Sequence, residues 1–183
     1  MVDGKTMLDL ILKRQSDRSY SDKPVESEKI ERIIEAGRIA PSACNAQPWK
    51  FIIVTDNDLR NKLSDAASAK LLGMNSFVSQ APLLIVVVRE KANMSSRIGA
   101  TVKDKDYSLI DIGIASENIC IQAAAEGLGS CMIGWFDETQ VKKLLGIPSS
   151  KRVELIITVG YTTKETREKR RKTFSETVSY NKY

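Results

Sequence analysis

The sequence predicts one domain of mixed helices and strands, about four strands among five helices, and three observations carry that expectation. Helix-like and strand-like hydrophobic patterns alternate irregularly along the 183 residues. One run, Ala81 to Val88 (APLLIVVV), is apolar at every position, as a central strand covered on both faces would be. No glycine-rich turn follows an early strand, so a dinucleotide-binding βαβ unit is not supported. A chain of 20.4 kDa buries roughly 70% of its unfolded surface, enough for a core without metal or disulfide staples.

The elements follow in order. Met7, Leu8, Ile11 and Leu12 have helical spacing and give way to a polar stretch, Lys13 to Pro24. A helix over Ser27 to Ile39 carries Ile30, Ile33, Ile34 and Gly37 on one stripe and stops before Pro41. Lys50 to Thr55 reads as a strand, Asp58 to Ser68 as a helix with Leu59 and Leu63 inward, and Pro82 to Val88 as the central strand. Lys91 to Tyr107 is short and polar and predicts no element. The strongest periodicity lies in Ser108 to Glu126, with Leu109, Ile112, Gly113, Ser116, Ile119, Cys120 and Ala123 on the expected core stripe. Gly127 and Gly129 stop it. Ser130 to Gly134 is a short strand; Asp137 and Gln140 then suggest a capping box on a helix ended by Gly146 and Pro148. Val153 to Tyr161 is the last strand, and residues from about 162 to 183 form a C-terminal arm.

Composition removes whole classes of chemistry. With no histidine, imidazole-based nucleophile systems, HExxH zinc sites and histidine proton shuttles are excluded. Cys44, Cys120 and Cys131 form no CxxC pair, and no run approaches the roughly 20 apolar residues of a membrane span. A cytoplasmic protein with reduced thiols and no membrane association is expected. Of the net charge of +5, four units sit in Lys164 to Lys172 (KETREKRRK), which holds six cations and two glutamates. Charge so localised, with no aromatic before Phe174, argues against nucleic acid and leaves either a solvated tail or a clamp for one small anion.

Three constellations carry chemistry. Arg14, Gln15, Ser16 and Arg18 place two guanidiniums and a hydroxyl where they can converge on a phosphate, although the same pattern serves as a surface ion-pair array. Pro41 to Trp49 (PSACNAQPW) is a proline-fixed loop with two amides, Asn45 and Gln47; it reads either as a heterocycle-facing loop or as a helix-ending turn with a structural Trp49. Gly127 to Phe136 (GLGSCMIGWF) leaves backbone N–H groups near Gly134 open to a stacked ring, or is a plain helix stop and buried strand in which Cys131 is a core residue.

Taken in order, RQSDRSY with DKPV, APSACNAQPWKFIIV, AAEGLGSCMIGWF, LLGIP and the basic KRRKTFSE end resemble the short subgroup of the FMN-dependent nitroreductase family, over Leu8 to about Tyr180. The resemblance implies an α+β fold, a central mixed or antiparallel sheet flanked by helices with an extended C-terminal arm, and a homodimer with shared FMN sites. Arg14, Ser16 and Arg18 would hold the FMN phosphate and ribityl chain, with Gln15 near the pyrimidine end. Pro41, Ser42, Ala43 and Asn45 would line the isoalloxazine from the other subunit, with Gln47 supporting the loop. Ile133, Gly134 and Trp135 would border the ring, the Gly134 N–H facing the nitrogen that receives hydride. Arg170, Arg171 and Lys172 match the C-terminal cations at the phosphate, to within one or two residues of register. No side chain is expected to be an essential acid or base. The implied activity is ping-pong transfer from NADH or NADPH through FMN to a small-molecule acceptor, a nitroaromatic or quinone. Its rivals are a same-fold flavin-fragmenting or dehalogenating enzyme, a nonenzymatic flavin-binding protein, and a nucleotide- or RNA-binding module. Two residues depart from the family pattern: Cys44, where a small residue is frequent, and Asp17, where an apolar one is usual and where an exposed carboxylate would weaken the phosphate field.

Overall fold

The computed structural model describes residues 3–68 and 74–183, apart from the side chains of residues 97–101. The apolar run becomes β2 (Leu83–Arg89) and lies inside a four-stranded sheet of order β1–β2–β4–β3, where β1 is Trp49–Val54, β3 Gly129–Ile133 and β4 Arg152–Gly160. All three pairings are antiparallel. Because side chains alternate across a strand, β2 feeds two cores at once. Leu84, Val86 and Val88 pack with Leu63, Ala66 and Ala67 of α3 (Asn57–Ala67), Val141 of α6 (Glu138–Leu145) and the turn residues Phe77 and Val78. Leu83, Ile85 and Val87 pack with Ile33 of α2 (Ser27–Arg38) and with Ile112, Ala115, Ile119 and Ala123 of α5 (Tyr107–Ala125). The result is helix, sheet, helix, the α+β arrangement expected. Gly37 lets α2 and α5 approach, since a Cβ there would stand 2.7 Å from Ile119 Cγ1.

Expectations for the core stripe of α5, for the stretch after Lys91 and for the cap of α6 are corrected. The core face of α5 is turned from the one read in the sequence: Leu109 and Gly113 face outward with Ile110 and Ile114, while Asp111 and Ala115 are buried. A helix apolar nearly all round offers no single stripe to read. In α1 (Gly4–Lys13) the apolar residues Met7, Leu8, Ile11 and Leu12 are between 38% and 55% exposed, and none is buried. The polar stretch after Lys91 holds α4 (Met94–Lys103), whose start is marked by Asn93, its Oδ1 accepting from Ser96 N–H at 2.9 Å. At α6, Asp137 accepts from Gln140 N–H at 2.9 Å; the reciprocal capping box is at α7 (Phe174–Thr177), between Thr173 and Glu176. Gly146 ends α6 at φ 64°.

Candidate functional site

The chain leaves α1 at Arg14 with ψ 128° and runs extended beside β3. Ser16 forms a parallel bridge with Ser130, and Asp17 N–H donates to the Ser130 carbonyl at 2.9 Å. Alternate residues of an extended chain face opposite sides. Arg14, Ser16 and Arg18 therefore share one side, which is the physical content of their spacing, and Asp17 takes the other.

Asp17 is buried, so it does not sit among the arginines as an exposed carboxylate would. Its Oδ1 accepts from Gln15 Nε2 at 2.9 Å and from Thr162 Oγ1 at 3.2 Å, and its carbonyl accepts from Tyr20 OH at 2.7 Å. Gly129 makes room for it: a Cβ on that glycine would lie 2.6 Å from Asp17 Oδ2 and 2.9 Å from Asp17 Cβ, an atom the backbone fixes. Gly129→Ala must displace the whole segment. It is expected to cost about 1–3 kcal/mol in denaturant unfolding. A variant of unchanged midpoint and slope would show that the segment is free to shift.

The arm returns to the same segment. Beyond β4, Ser21 N–H donates to the Tyr161 carbonyl at 2.9 Å and Thr162 bridges Tyr20. Gln15 Oε1 accepts from the Arg167 backbone N–H at 3.0 Å, Gln15 Nε2 donates to the Glu165 carbonyl at 3.2 Å, and Arg167 Nη2 donates to the Ser16 carbonyl at 2.8 Å. Lys169 Nζ donates to the Arg14 carbonyl. Between the two lies a pocket of about 620 Å³, walled by Arg14, Gln15, Ser16 and Arg18 on one side and by Arg167, Glu168, Lys169, Arg170 and Arg171 on the other. Of the three arm cations expected at the phosphate, Arg170 and Arg171 line the pocket. Lys172 is not among its walls, and Arg167 and Lys169 are. Gln15, expected toward the pyrimidine end, is occupied with fastening the arm.

Positive charge is crowded here. Partial burial, Arg14 and Arg171 all push the Lys169 ammonium below its ordinary pKa. Glu117 Oε1 stands 3.1 Å from Arg14 Nε, and the Arg18 guanidinium lies 6.0 Å from the Phe77 ring centre. The donors are guanidiniums, an ammonium and a hydroxyl, a set suited to a phosphate dianion.

The 41–47 loop is a second assembly. Cys44, Asn45 and Gln47 all have left-handed backbones, at φ 51°, 52° and 47°, which cost energy in residues other than glycine. The strain is held by bonds: Ser42 Oγ accepts from Gln47 N–H at 3.0 Å, Gln47 Nε2 donates to Asn45 Oδ1 at 3.0 Å, Asn93 Nδ2 donates to the Cys44 carbonyl at 2.8 Å, and Ala43 N–H donates to Asp111 Oδ1 at 3.1 Å. Pro41 is exposed at its start, and Trp49 is buried, stacked 6.4 Å from Phe51. The loop is tied to α5 at Asp111 and Arg14 to α5 at Glu117; six residues of helix separate these by about 9 Å and about 120° of rotation. The loop does not line the cationic pocket of its own chain.

At the end of β3, Ile133 is buried and turns its side chain into the core, while Trp135 is exposed. Gly134 is open, with no atom within 4 Å of where a Cβ would stand, so a flat ring has access to its backbone. Burial pushes the Cys120 thiol up to about 11 and raises Cys131 as well; neither is a nucleophile.

Sequence reading missed Asp111, Glu117 and Arg167 as site residues; Lys169 falls within the one or two residues of register left open for the arm. A signal for Asp111 existed, a lone acid flanked by Ile110 and Ile112 in an apolar helix. For the arm there was only the basic run, without a period to fix its register.

The sequence profile of the nitroreductase family matches residues 11–73 and 69–161. The chain is similar to the oxygen-insensitive NADPH nitroreductase of Helicobacter acinonychis, 27% identical over 194 residues that cover 90% of this chain and 89% of that protein. It is also similar to the iodotyrosine deiodinase of Thermotoga neapolitana, 28% identical over 177 residues that cover 86% and 89%. Among solved structures, an FMN-dependent nitroreductase from Clostridium difficile R20291 superposes with a TM-score of 0.77 at 30% identity, covering 96% of this chain and 99% of that one.

Proposed function

Because this chain belongs to the nitroreductase family, we propose that it is an FMN-dependent oxidoreductase that uses NADH or NADPH to reduce nitroaromatic, quinone or related acceptors in a ping-pong cycle. The observation that carries the reading is the meeting of the Arg14–Arg18 side with the basic arm around one pocket sized for a cofactor. FMN, when bound, supplies a ring that accepts hydride from the nicotinamide and passes reducing equivalents to the acceptor.

The residues present fit that group. Arg14 and Arg18 would hold the phosphate, Ser16 would add a hydroxyl donor, and Arg167, Lys169, Arg170 and Arg171 would close the opposite side. Gly134 gives the ring backbone access that a side chain would deny, and a fixed N–H stabilises negative charge without reorganising. No side chain serves as an obligatory acid or base; solvent supplies the protons.

The protein acts as a homodimer. In α1, Met7, Leu8, Ile11 and Leu12 are exposed, as are Leu109, Ile110 and Ile114 on α5, and these two helices contact each other. So much apolar surface on adjoining helices supports an interface with a second copy. That copy brings its 41–47 loop, with Pro41, Ser42, Ala43 and Asn45, to the ring. No helix among the described residues is long and apolar enough to cross a membrane, and unpaired Cys44, Cys120 and Cys131 suit a cytoplasmic setting.

Lys169 makes binding pH-dependent. A phosphate dianion favours the charged ammonium, which Arg14, Arg171 and burial disfavour in the free site. FMN affinity is therefore expected to be full below the depressed pKa of Lys169 and to fall as pH rises through it, and Lys169→Met flattens that profile. Titrations in which wild type and variant have the same slope would contradict the role.

The functional test is an absorbance spectrum of the purified protein followed by anaerobic titration with each nicotinamide and a nitroaromatic. Bleaching of the flavin bands by NADH or NADPH, and their recovery on adding acceptor, is expected. Protein that takes up no FMN overturns the reading, as does dehalogenation of iodotyrosine without nitroaromatic reduction.

A further inference from the structure

Asp111 is 4% exposed, set in α5 between Ile110 and Ile112. Its Oδ1 accepts from Ala43 N–H at 3.1 Å, and its Oδ2 is buried with no hydrogen-bond partner among the described residues. A carboxylate kept at this depth with one oxygen unsatisfied is costly, and packing alone would be served better by an apolar residue. What the carboxylate does hold is the 41–47 loop, at the residue just before Cys44 and Asn45, two of its left-handed positions.

On the reading that this loop lines the flavin ring, we propose that Asp111 is a positioning residue: it anchors the Ala43 amide and so fixes the loop in the shape that meets the ring. A charged acceptor holds an N–H more firmly than a neutral one, which suits a loop that must be kept strained. The bond runs from a helix rigid in the core to a loop whose other side-chain ties among the described residues, Ser42 to Gln47 and Gln47 to Asn45, are internal, apart from Asn93 at Cys44; the loop's far end is joined to β1, where the Gln47 carbonyl accepts from Trp49 N–H at 2.8 Å. Losing Asp111 releases the loop at its first turn while leaving the cationic pocket intact.

The prediction separates ring from phosphate. FMN and riboflavin share the ring, and only FMN carries the phosphate. Asp111→Ala is expected to weaken both by the same factor, roughly 10- to 100-fold, leaving their affinity ratio unchanged and shifting the visible bands of the bound flavin toward those of free flavin. Asp111→Asn, which keeps the shape and an acceptor oxygen but not the charge, recovers part of the affinity. Ala43→Pro approaches the bond from the other end. Ser42 is extended (φ −147°, ψ 154°), as a residue before proline must be, and Ala43 opens a short helical turn, so this variant removes the N–H in a backbone that accepts proline. It is expected to reproduce the loss without touching α5, which keeps the test available if Asp111→Ala does not fold.

The measurement is fluorescence titration of each folded dimer with FMN and with riboflavin, with thermal unfolding alongside. Affinities within twofold of wild type for Ala43→Pro, and for Asp111→Ala where it folds, overturn the proposal, as does a loss confined to FMN. A wild-type chain that binds neither flavin overturns the functional reading itself, and this one with it.

Discussion

Replacing Arg14 and Arg18 together with alanine is expected to give folded, dimeric, colourless protein whose FMN affinity is lower by about two to four orders of magnitude, while riboflavin affinity changes little. Each guanidinium contributes charge-assisted bonds to phosphate worth about 1.5–3 kcal/mol, and each 1.4 kcal/mol is a factor of about ten. The fold loses little in exchange. Arg14 gives up a partly exposed pairing with Glu117 and Arg18 a cation–ring contact at 6.0 Å, interactions that contribute about 1 kcal/mol or less. Arg167 and Lys169 remain, so the loss falls short of complete. Fluorescence titration of the pair of flavins reads the result; retained stoichiometric FMN would falsify the phosphate assignment.

Placing charge on the outer face of α5, as in Ile110→Glu with Ile114→Glu, is expected to convert a dimer of about twice 20.4 kDa into a folded monomer that has lost its flavin. Both isoleucines are exposed within one chain, so the core is not disturbed. In the dimer each would bury apolar area worth about 1.5–3 kcal/mol, and a carboxylate in its place adds a desolvation cost of several more. Flavin is lost with the partner because the 41–47 loop does not reach the cationic pocket of its own chain. Sedimentation velocity followed at flavin wavelengths reads both effects. A variant that stays dimeric, or a monomer that stays yellow, would contradict the shared site.

Much of this was legible in the sequence because the signals were local. The uniform apolarity of Leu83 to Val88 announces a strand covered on both faces, and Gly146 announces a helix end. The R-x-S-x-R spacing announced a convergence of cations, although its cause, an extended segment rather than a helix end, depends on a bridge to Ser130 more than a hundred residues away. Asp17 was illegible for the same reason: its burial depends on Gly129 and Thr162, which come beside it only in the fold. The face of α5 could not be read because both of its sides are apolar, one packed in the core and the other exposed at Leu109, Ile110 and Ile114. The arm has no hydrophobic period, so its register comes from single hydrogen bonds such as Arg167 to the Ser16 carbonyl.

The most direct test of the central claim is a crystal structure of the dimer with FMN bound. The phosphate should lie between Arg14, Ser16 and Arg18 on one side and the arm at Arg167 to Arg171 on the other, with the ring over Gly134 and against the 41–47 loop of the partner subunit. A phosphate bound away from that pocket, or a ring enclosed by one chain alone, would contradict it.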